Sequence, residues 1–174
     1  MGNGTGDVPT CLCHLCVDSV TGVREIAFVA AEDATALNDV RVLLREYEAS
    51  LPFALDFQGF DTEVSELPGS YRDPGGALLL APGRGCVALR RVDDDTCELK
   101  RLYVRPAARG TGLGRALVEA ALARARELGY RRVLLDTTPG MEAAHELYRR
   151  LGFRETDPYT ENPVPGTRYL ALEL

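Results

Sequence analysis

The spacing of hydrophobic residues in the first part of the chain predicts one strand and two helices. The stretch 23–30 predicts a strand, and Asp33 follows it at a position where it can cap a helix. Pro52 marks the end of this helix, an aromatic loop spans 53–60, and a short second helix is predicted at 61–67. The apolar positions of the first helix recur at helical spacing: Ala36, Val40, Leu43, Leu44 and Tyr47.

Three short apolar runs in the middle of the chain predict neighbouring strands. They cover residues 77–81, 86–92 and 97–104, and turns rich in glycine, proline and aspartate join them. Sequential strands with short turns pair in the antiparallel sense, so these runs indicate a meander.

After Pro106 the period changes to that of a helix. One apolar stripe runs from Gly114 to Leu128, and Gly129 closes the helix. A buried strand is then predicted at 132–137. Because a strand, a helix and a strand follow one another here, we expect a parallel crossover.

A last helix and two short strands complete the pattern. The helix carries Met141, Ala144, Tyr148 and Leu151 on one side, and the strands are predicted at 153–156 and 167–174 around a polar loop. The predicted fold class is therefore α/β, with a mixed, mostly antiparallel central sheet flanked by helices.

The composition fits one domain preceded by an extension. Of the 174 residues, 45% are hydrophobic and 26% charged, which is typical of a globular protein. Residues 1–22 show no period and are predicted to form a flexible N-terminal extension, whereas 23–174 form a single domain.

Five cysteines do not form the evenly spaced framework of a small secreted protein, and this favours a reducing cytoplasm. Cys11, Cys13, His14 and Cys16 are candidate metal ligands, but a structural zinc site needs a second separated pair, and none follows. We therefore predict no metal site and an oxidisable tail. Two further cysteines are predicted to pack within strands: Cys86 and Cys97.

The charge distribution excludes some partners. A net charge of −6 argues against a surface for nucleic acid, and the chain lacks the uninterrupted apolar run of about 18 residues that a membrane span needs. Between Glu98 and Arg115, however, five basic residues and one acidic residue give a local charge of +4. This local charge predicts either a site for an anionic ligand or a solvated basic face.

A glycine-rich loop in this basic stretch precedes the long helix. Glycines let backbone N–H groups approach a ligand closely, and a helix N-terminus adds partial positive charge, so the loop suits a pyrophosphate. The spacing differs from that of the Rossmann and Walker motifs. The predicted cofactor-binding residues of the loop are Arg109, Gly110, Thr111, Gly112, Leu113, Gly114 and Arg115.

Residues 23–174 resemble the GNAT superfamily of acyl-CoA-dependent N-acyltransferases. Arg109, Gly112 and Gly114 match its Gln/Arg-x-x-Gly-x-Gly/Ala signature, and residues 144–153 match its Ala-x-x-Leu-Tyr-x-x-x-Gly-Phe helix. The chain departs from the family at Met141, where many members carry asparagine.

The resemblance implies how acetyl-CoA binds. The strands at 97–104 and 132–137 are expected to splay apart, and the pantetheine arm is expected to pair with the exposed edge of the first strand. By position that edge comprises Leu102, Tyr103 and Val104.

The resemblance also implies a direct transfer to a primary amine in a ternary complex. Such an amine is mostly protonated at neutral pH, so a base must take a proton; Glu98 matches the position of a catalytic glutamate in several members. A surface ion pair with Lys100 or Arg101 is the alternative role for Glu98. Tyr148 is the expected acid for the leaving thiolate, its alternative being a core position, and His145 is expected to be a surface residue.

The acceptor is less well defined. A small-molecule amine or amino acid is favoured, and a non-catalytic acyl-CoA-binding module or a protein or peptide N-acetyltransferase are the alternatives; a homodimer stays open. We expect acceptor contacts from five aromatic residues: Tyr47, Phe53, Phe57, Tyr71 and Tyr159.

Overall fold

The computed structural model describes residues 26–174. The extension predicted at 1–22 lies outside the described residues, as do Cys11, Cys13, His14 and Cys16. The helices are α1 (Ala34–Ala49), α2 (Phe60–Ser65), α3 (Leu113–Glu127) and α4 (Glu142–Arg150). The strands are β1 (Ala27–Phe28), β2 (Ala77–Ala81), β3 (Gly85–Arg91), β4 (Thr96–Val104), β5 (Arg132–Thr137), β6 (Arg154–Glu155) and β7 (Arg168–Glu173).

The strands form one seven-stranded sheet in the order β1-β2-β3-β4-β5-β7-β6. β4 and β5 pair in parallel, and the other neighbours within the described chain pair antiparallel. The prediction of a mixed, mostly antiparallel sheet with a meander and a parallel crossover is therefore confirmed. The crossover runs through α3, as a parallel connection requires.

Helices cover both faces of this sheet. Because successive strand residues point to opposite faces, Leu79 packs in the core under α3 and α4, whereas Leu78 and Leu80 pack under α1 and α2. Cys86 and Cys97 are fully buried in these two cores as free thiols, which confirms their predicted packing role. A polar group in the central strands is thus buried on either face and needs a partner.

The predicted element boundaries are correct to within a few residues at most places. β5 has the predicted bounds. β6 and β7 are shorter than expected, because β6 lies at the sheet edge and pairs with β7 only through Arg154 and Glu155. β1 pairs with β2 through two residues before the chain turns towards α1. No helix among residues 26–174 is long and apolar enough to cross a membrane.

The start of α1 is fixed by the predicted cap. The Asp33 carboxylate accepts a hydrogen bond from the Ala36 backbone N–H at 2.9 Å. This interaction satisfies one of the N–H groups that have no partner within the helix. Tyr47 near the end of α1 reaches the site described below, and the buried residues of α1 pack it against the sheet: Leu37, Val40, Leu43 and Leu44.

We expect Asp33→Ala to lower the free energy of unfolding by about 1 kcal/mol, because the first turn of α1 loses its cap. Glu32→Ala is the matched control, since it removes a neighbouring exposed carboxylate whose side chain caps nothing. Urea denaturation of the two variants measures the difference. Equal losses would show that Asp33 acts through its charge and not through the hydrogen bond.

Candidate active site

β4 and β5 begin as a pair and then part. Their parallel pairing joins Thr96, Cys97 and Glu98 to Arg132, Val133 and Leu134, and it ends there. Beyond this point β5 continues along β7, and β4 continues along β3 as far as Val104. The second half of β4 thus presents one edge that pairs with no described strand. A cleft opens between the two strands.

A bulge in β4 accompanies the parting. Cys86 pairs with Tyr103 and Ala88 pairs with Lys100, so two residues of β4 lie opposite one residue of β3. Arg101 occupies the bulge with φ of +59°, a left-handed conformation that costs a non-glycine residue about 1–3 kcal/mol. Such backbone needs support from its surroundings.

The support for Arg101 comes from α2. The guanidinium donates two hydrogen bonds to Glu63, at 2.7 Å and 2.6 Å, and lies over the Phe60 ring at 4.9 Å from its centroid. Tyr71 donates a further hydrogen bond to Glu63 at 2.7 Å. Burial would raise the pKa of the Glu63 carboxyl, but Arg101 outweighs this and holds that pKa below its usual range.

The bulge changes which side chains face the cleft. In a regular strand Lys100 and Arg101 would point to opposite faces, but here both line the same cleft. The cleft measures about 400 Å³ including its open mouth. Its lining comes from α1, β4, β5 and the loops that follow α1, β5 and β6: Tyr47, Phe53, Leu55, Gln58, Leu99, Lys100, Arg101, Asp136, Thr137, Thr138, Met141 and Asn162.

Two carboxylates lie on the two strands that part: Asp136 lines the cleft, and Glu98 lies behind its lining. Glu98 on β4 is 1% exposed, and its carboxylate accepts hydrogen bonds from Arg90 at 2.6 Å and Tyr159 at 2.9 Å. Asp136 on β5 accepts a hydrogen bond from Asn162 at 2.8 Å. Lys100 Nζ stands between them, 3.4 Å from Glu98 Oε1 and 3.5 Å from Asp136 Oδ1.

The loop between β6 and β7 closes one side of this site. Tyr159 and Asn162 both belong to it, and each donates its hydrogen bond to one of the two carboxylates. Burial and the nearby Glu98 raise the pKa of Tyr159 far above its ordinary value, so the phenol stays protonated and remains a donor. An edge contact with Tyr169, at 5.6 Å between centroids, fixes the ring.

Three buried oxygens in the cleft have no hydrogen-bond partner among the described residues. They are Thr137 Oγ1, Thr138 Oγ1 and Gln58 Oε1. A buried polar atom without a partner is unfavourable in a finished protein interior. All three lie in one cleft, where water or a polar ligand can bond them.

The predicted glycine loop lies at the start of α3, beside the end of β4. Gly110 and Gly112 have φ of +76° and +86°, and a Cβ at either would meet open space. No side chain caps α3, so its first N–H groups remain available. Arg109 Nε donates to the Val104 carbonyl at 3.0 Å and ties the loop to the strand.

The other predicted residues of the glycine loop and of the β4 edge differ in how far their side chains are exposed. Thr111 and Arg115 are exposed, and Gly114 lies where a Cβ would approach Val104 and Leu147 at 3.7 and 3.8 Å. Leu113 and Tyr103 point into the core, so they can offer a ligand only their backbone. Leu102 and Val104 are half-buried on the edge that faces the cleft.

Tyr148 reaches the same parting from the opposite face of the sheet. Its ring is buried among the α3 and α4 side chains, edge-on to Phe153 at 5.6 Å. Burial raises the pKa of Tyr148 above its ordinary value, and interactions with Tyr47 and Asp136 raise it further. Tyr47 and Asp136 both line the cleft.

The structure separates the aromatic residues expected to contact an acceptor. Tyr47 and Phe53 line the cleft. Tyr159 lies behind the lining, where its hydroxyl donates a hydrogen bond to Glu98. Phe57 is exposed and does not line the cleft, and Tyr71 donates its hydrogen bond to Glu63. His145 lies on α4 with Nδ1 3.4 Å from Arg168, and no metal-binding group of residues occurs in the described part of the chain.

Sequence reasoning missed the polar residues of β5 and its neighbours. Asp136 directly follows the apolar run of β5 from Val133 to Leu135, and a carboxylate at this position was the signal available. Lys100 was counted in the basic stretch, and strand alternation places it on the face of Glu98, but its contact with Asp136 depends on the position of β5 beside β4. Asn162 gave no signal, because its partner lies 26 residues away in sequence.

Comparison with known sequences gives one consistent family. The model of the acetyltransferase (GNAT) family matches residues 45–153. An uncharacterised N-acetyltransferase of Schizosaccharomyces pombe is 38% identical over 144 residues, which cover 79% of this chain and 88% of that protein. N-acetylaspartate synthetase of Danio rerio is 37% identical over 121 residues, which cover 64% of this chain and 42% of that protein.

Solved structures agree on the fold. An acetyltransferase from Streptococcus agalactiae superposes with a TM-score of 0.70 at 24% identity, covering 86% of this chain and 98% of that one. A GNAT family acetyltransferase from Elizabethkingia anophelis, solved with acetyl-CoA bound, gives 0.58 at 19% identity, covering 86% and 97%.

The support of the bulge can be tested through stability. We expect Glu63→Gln to lower the free energy of unfolding by about 3–5 kcal/mol, because Arg101 is left as a buried charge without a counter-ion. Glu146→Gln, the same change in an exposed ion pair on α4, is the control and should cost little. Chemical denaturation at neutral pH compares the two.

The pH dependence provides a second readout. The pKa of Glu63 is depressed in the folded protein, so its contribution is present above the ordinary pKa of 4.5 and is lost as the pH falls through the lower folded value. Stability of the wild type should therefore fall more steeply with acid below pH ~5 than that of Glu63→Gln. Parallel curves would show that Glu63 does not hold Arg101 electrostatically.

Proposed function

Since the chain belongs to the acetyltransferase (GNAT) family and is an N-acetyltransferase, we propose that it transfers an acetyl group from acetyl-CoA to the primary amine of a small molecule or amino acid. The transfer is direct, within a ternary complex. The observation that carries this proposal is the parting of β4 and β5, which opens a passage between the glycine loop and the polar cleft.

The acetyl-CoA pyrophosphate binds at the start of α3 in this proposal. Uncapped N–H groups, the helix dipole and two glycines in left-handed conformation support an anion there. The proposed contacts are the backbone of residues 109–115, with Arg109 and Arg115 adding positive charge. A related fold with acetyl-CoA bound is consistent with this donor.

The pantetheine arm lies along β4. The edge from Leu102 to Val104 is adjacent to the loop, and its backbone groups can pair with the amides of the arm as a further strand would. The thioester is thereby directed to the parting of the strands. It meets the acceptor amine at the cleft.

Glu98 and Tyr148 are proposed to handle the two protons. The amine nitrogen attacks the thioester carbonyl, a C–N bond forms, and the C–S bond breaks. The amine proton passes to Glu98 through one water, because the carboxylate is buried behind the cleft lining. Tyr148 donates to the leaving thiolate, which needs a proton to depart as a thiol.

The closed side of the cleft supports a small acceptor over an extended peptide. Tyr159 and Asn162 tether the β6–β7 loop to the two carboxylates, so this loop walls the site instead of leaving a groove open at both ends. The similarity to N-acetylaspartate synthetase, whose name indicates an amino acid product, is consistent with an amino acid acceptor.

The donor site can be tested with two glycines. Gly112→Ala and Gly129→Ala place the same methyl group at φ of +86° and +88°, and both sites are open, so the strain of about 1–2 kcal/mol is matched. We expect acetyl-CoA to raise the melting temperature of the wild type and of Gly129→Ala but not of Gly112→Ala.

S-acetylpantetheine, which lacks the pyrophosphate, separates the contributions of loop and strand. It should raise the melting temperature of the wild type much less than acetyl-CoA does. Equal shifts from the two ligands, or a full acetyl-CoA shift in Gly112→Ala, would remove the pyrophosphate from this loop.

The proposed acid can be tested by removing one oxygen. Tyr148→Phe should lower turnover by roughly 100-fold or more while the affinity for acetyl-CoA changes little. Tyr130→Phe is the control, because it removes the hydroxyl of another buried tyrosine that bonds the Gly75 carbonyl away from the cleft. Thiol release measures both, and unchanged turnover in Tyr148→Phe would assign the proton donor elsewhere.

A further inference from the structure

We infer that the acceptor is an α-amino acid, whose carboxylate binds Lys100 and whose amine binds Asp136. This inference rests on the proposed function and specifies its acceptor. It starts from the charges that the cleft leaves incompletely paired.

Two of the three cations at the site are already paired closely. Arg101 forms the double hydrogen bond with Glu63, and Arg90 bonds Glu98 at 2.6 Å. These pairs have the short, charge-assisted geometry of strong interactions. They define the shape of the site and leave little charge for a ligand.

Lys100 and Asp136 are paired loosely. Their charged atoms are 3.5 Å apart, and the other carboxylate near Lys100 is at 3.4 Å, both longer than the 2.7–2.9 Å of a charge-assisted hydrogen bond. The ammonium has three donors, and it stands between two carboxylates without a short bond to either. A ligand can therefore form closer pairs with Lys100 and Asp136 than they form with each other.

Burial increases the value of such pairs. The Lys100 and Asp136 side chains are only 7% and 10% exposed, and both line the cleft. Charges removed from water in this way are stabilised only by well-formed partners. One cation and one anion side by side match the carboxylate and the ammonium of a zwitterion.

The neutral groups around this pair fit the same ligand. Thr137 and Thr138 each offer a hydroxyl that donates or accepts, and Gln58 offers an amide, and none of these oxygens has a protein partner in the described chain. A carboxylate and an ammonium together bring several acceptors and donors to them.

The position of Asp136 suits the chemistry. It lies two residues beyond Leu134, the last residue of β5 that pairs with β4, so an amine held there is at the parting of the strands. The carboxylate on Lys100 would orient the amine towards the thioester.

Matched acceptors test this inference with the unmodified full chain. The pairs are alanine with ethylamine, phenylalanine with phenethylamine, and aspartate with β-alanine, each differing by the α-carboxylate alone. With acetyl-CoA as donor, we expect kcat/KM of the better amino acids to exceed that of their partners by about 10- to 100-fold. Amines that match or exceed their amino acids in every pair would overturn the inference and leave the proposed function intact.

A variant assigns the effect to Lys100. Lys100→Met keeps the length of the side chain and removes its charge, and we expect it to lower the ratio of kcat/KM for the amino acid to kcat/KM for its decarboxylated amine at least tenfold while the KM of acetyl-CoA stays near wild type. Lys100→Arg retains the charge and should restore part of the affinity. A purely structural role predicts equal losses for both acceptors.

The readouts distinguish failure of this inference from failure of the proposed function. The kinetics of Lys100→Met are compared with those of the wild type only if the variant unfolds cooperatively. If it does not, the matched acceptor pairs measured with the wild type decide whether the acceptor is an amino acid. Transfer to none of the six acceptors overturns the amino acid inference. The donor assignment fails separately, if acetyl-CoA leaves the melting temperature of the wild type unchanged.

Discussion

The left-handed backbone at Arg101 is the constraint on which the site depends. It adds one residue to β4, which allows Lys100 and Arg101 to share a face, and it lies where β4 no longer pairs with β5. Such a conformation persists only when its surroundings hold it. Glu63 and Phe60 provide that hold from a six-residue helix. The short α2 therefore holds part of the cleft lining in place.

Burial of the sheet on both faces explains why the site is so heavily hydrogen-bonded. Helices cover each face, so the carboxylates of Glu98 and Asp136 cannot be solvated freely by water. Arg90, Tyr159 and Asn162 supply the missing partners from a neighbouring strand and from the β6–β7 loop. The same contacts wall the cleft and make it narrow. One set of hydrogen bonds thus pairs the buried carboxylates and, in the proposed function, restricts the size of the acceptor.

In the proposed function, the two substrates approach from different sides of one opening. The glycine loop and α3 lie on the side of Tyr148, whereas Lys100 and the α1 loop lie on the other. The parted strands connect the two sides, because no ladder of hydrogen bonds closes the sheet there. This arrangement supports direct transfer, since neither substrate must leave before the other binds.

The sequence by itself determined the features that depend on neighbouring residues. The Asp33 cap, the bounds of β5, the meander and the glycine loop before α3 follow from periodicity, turn residues and helix ends, which act over a few positions. Only the tertiary structure decided which charges meet. Glu98 is bonded by a tyrosine 61 residues away and Arg101 by a glutamate 38 residues away. Arg101 shares a face with Lys100 because a single inserted residue shifts the alternation of β4 after Lys100. Periodicity cannot reveal such contacts, because the energy that fixes them comes from burying charge between distant segments, and no local pattern records it.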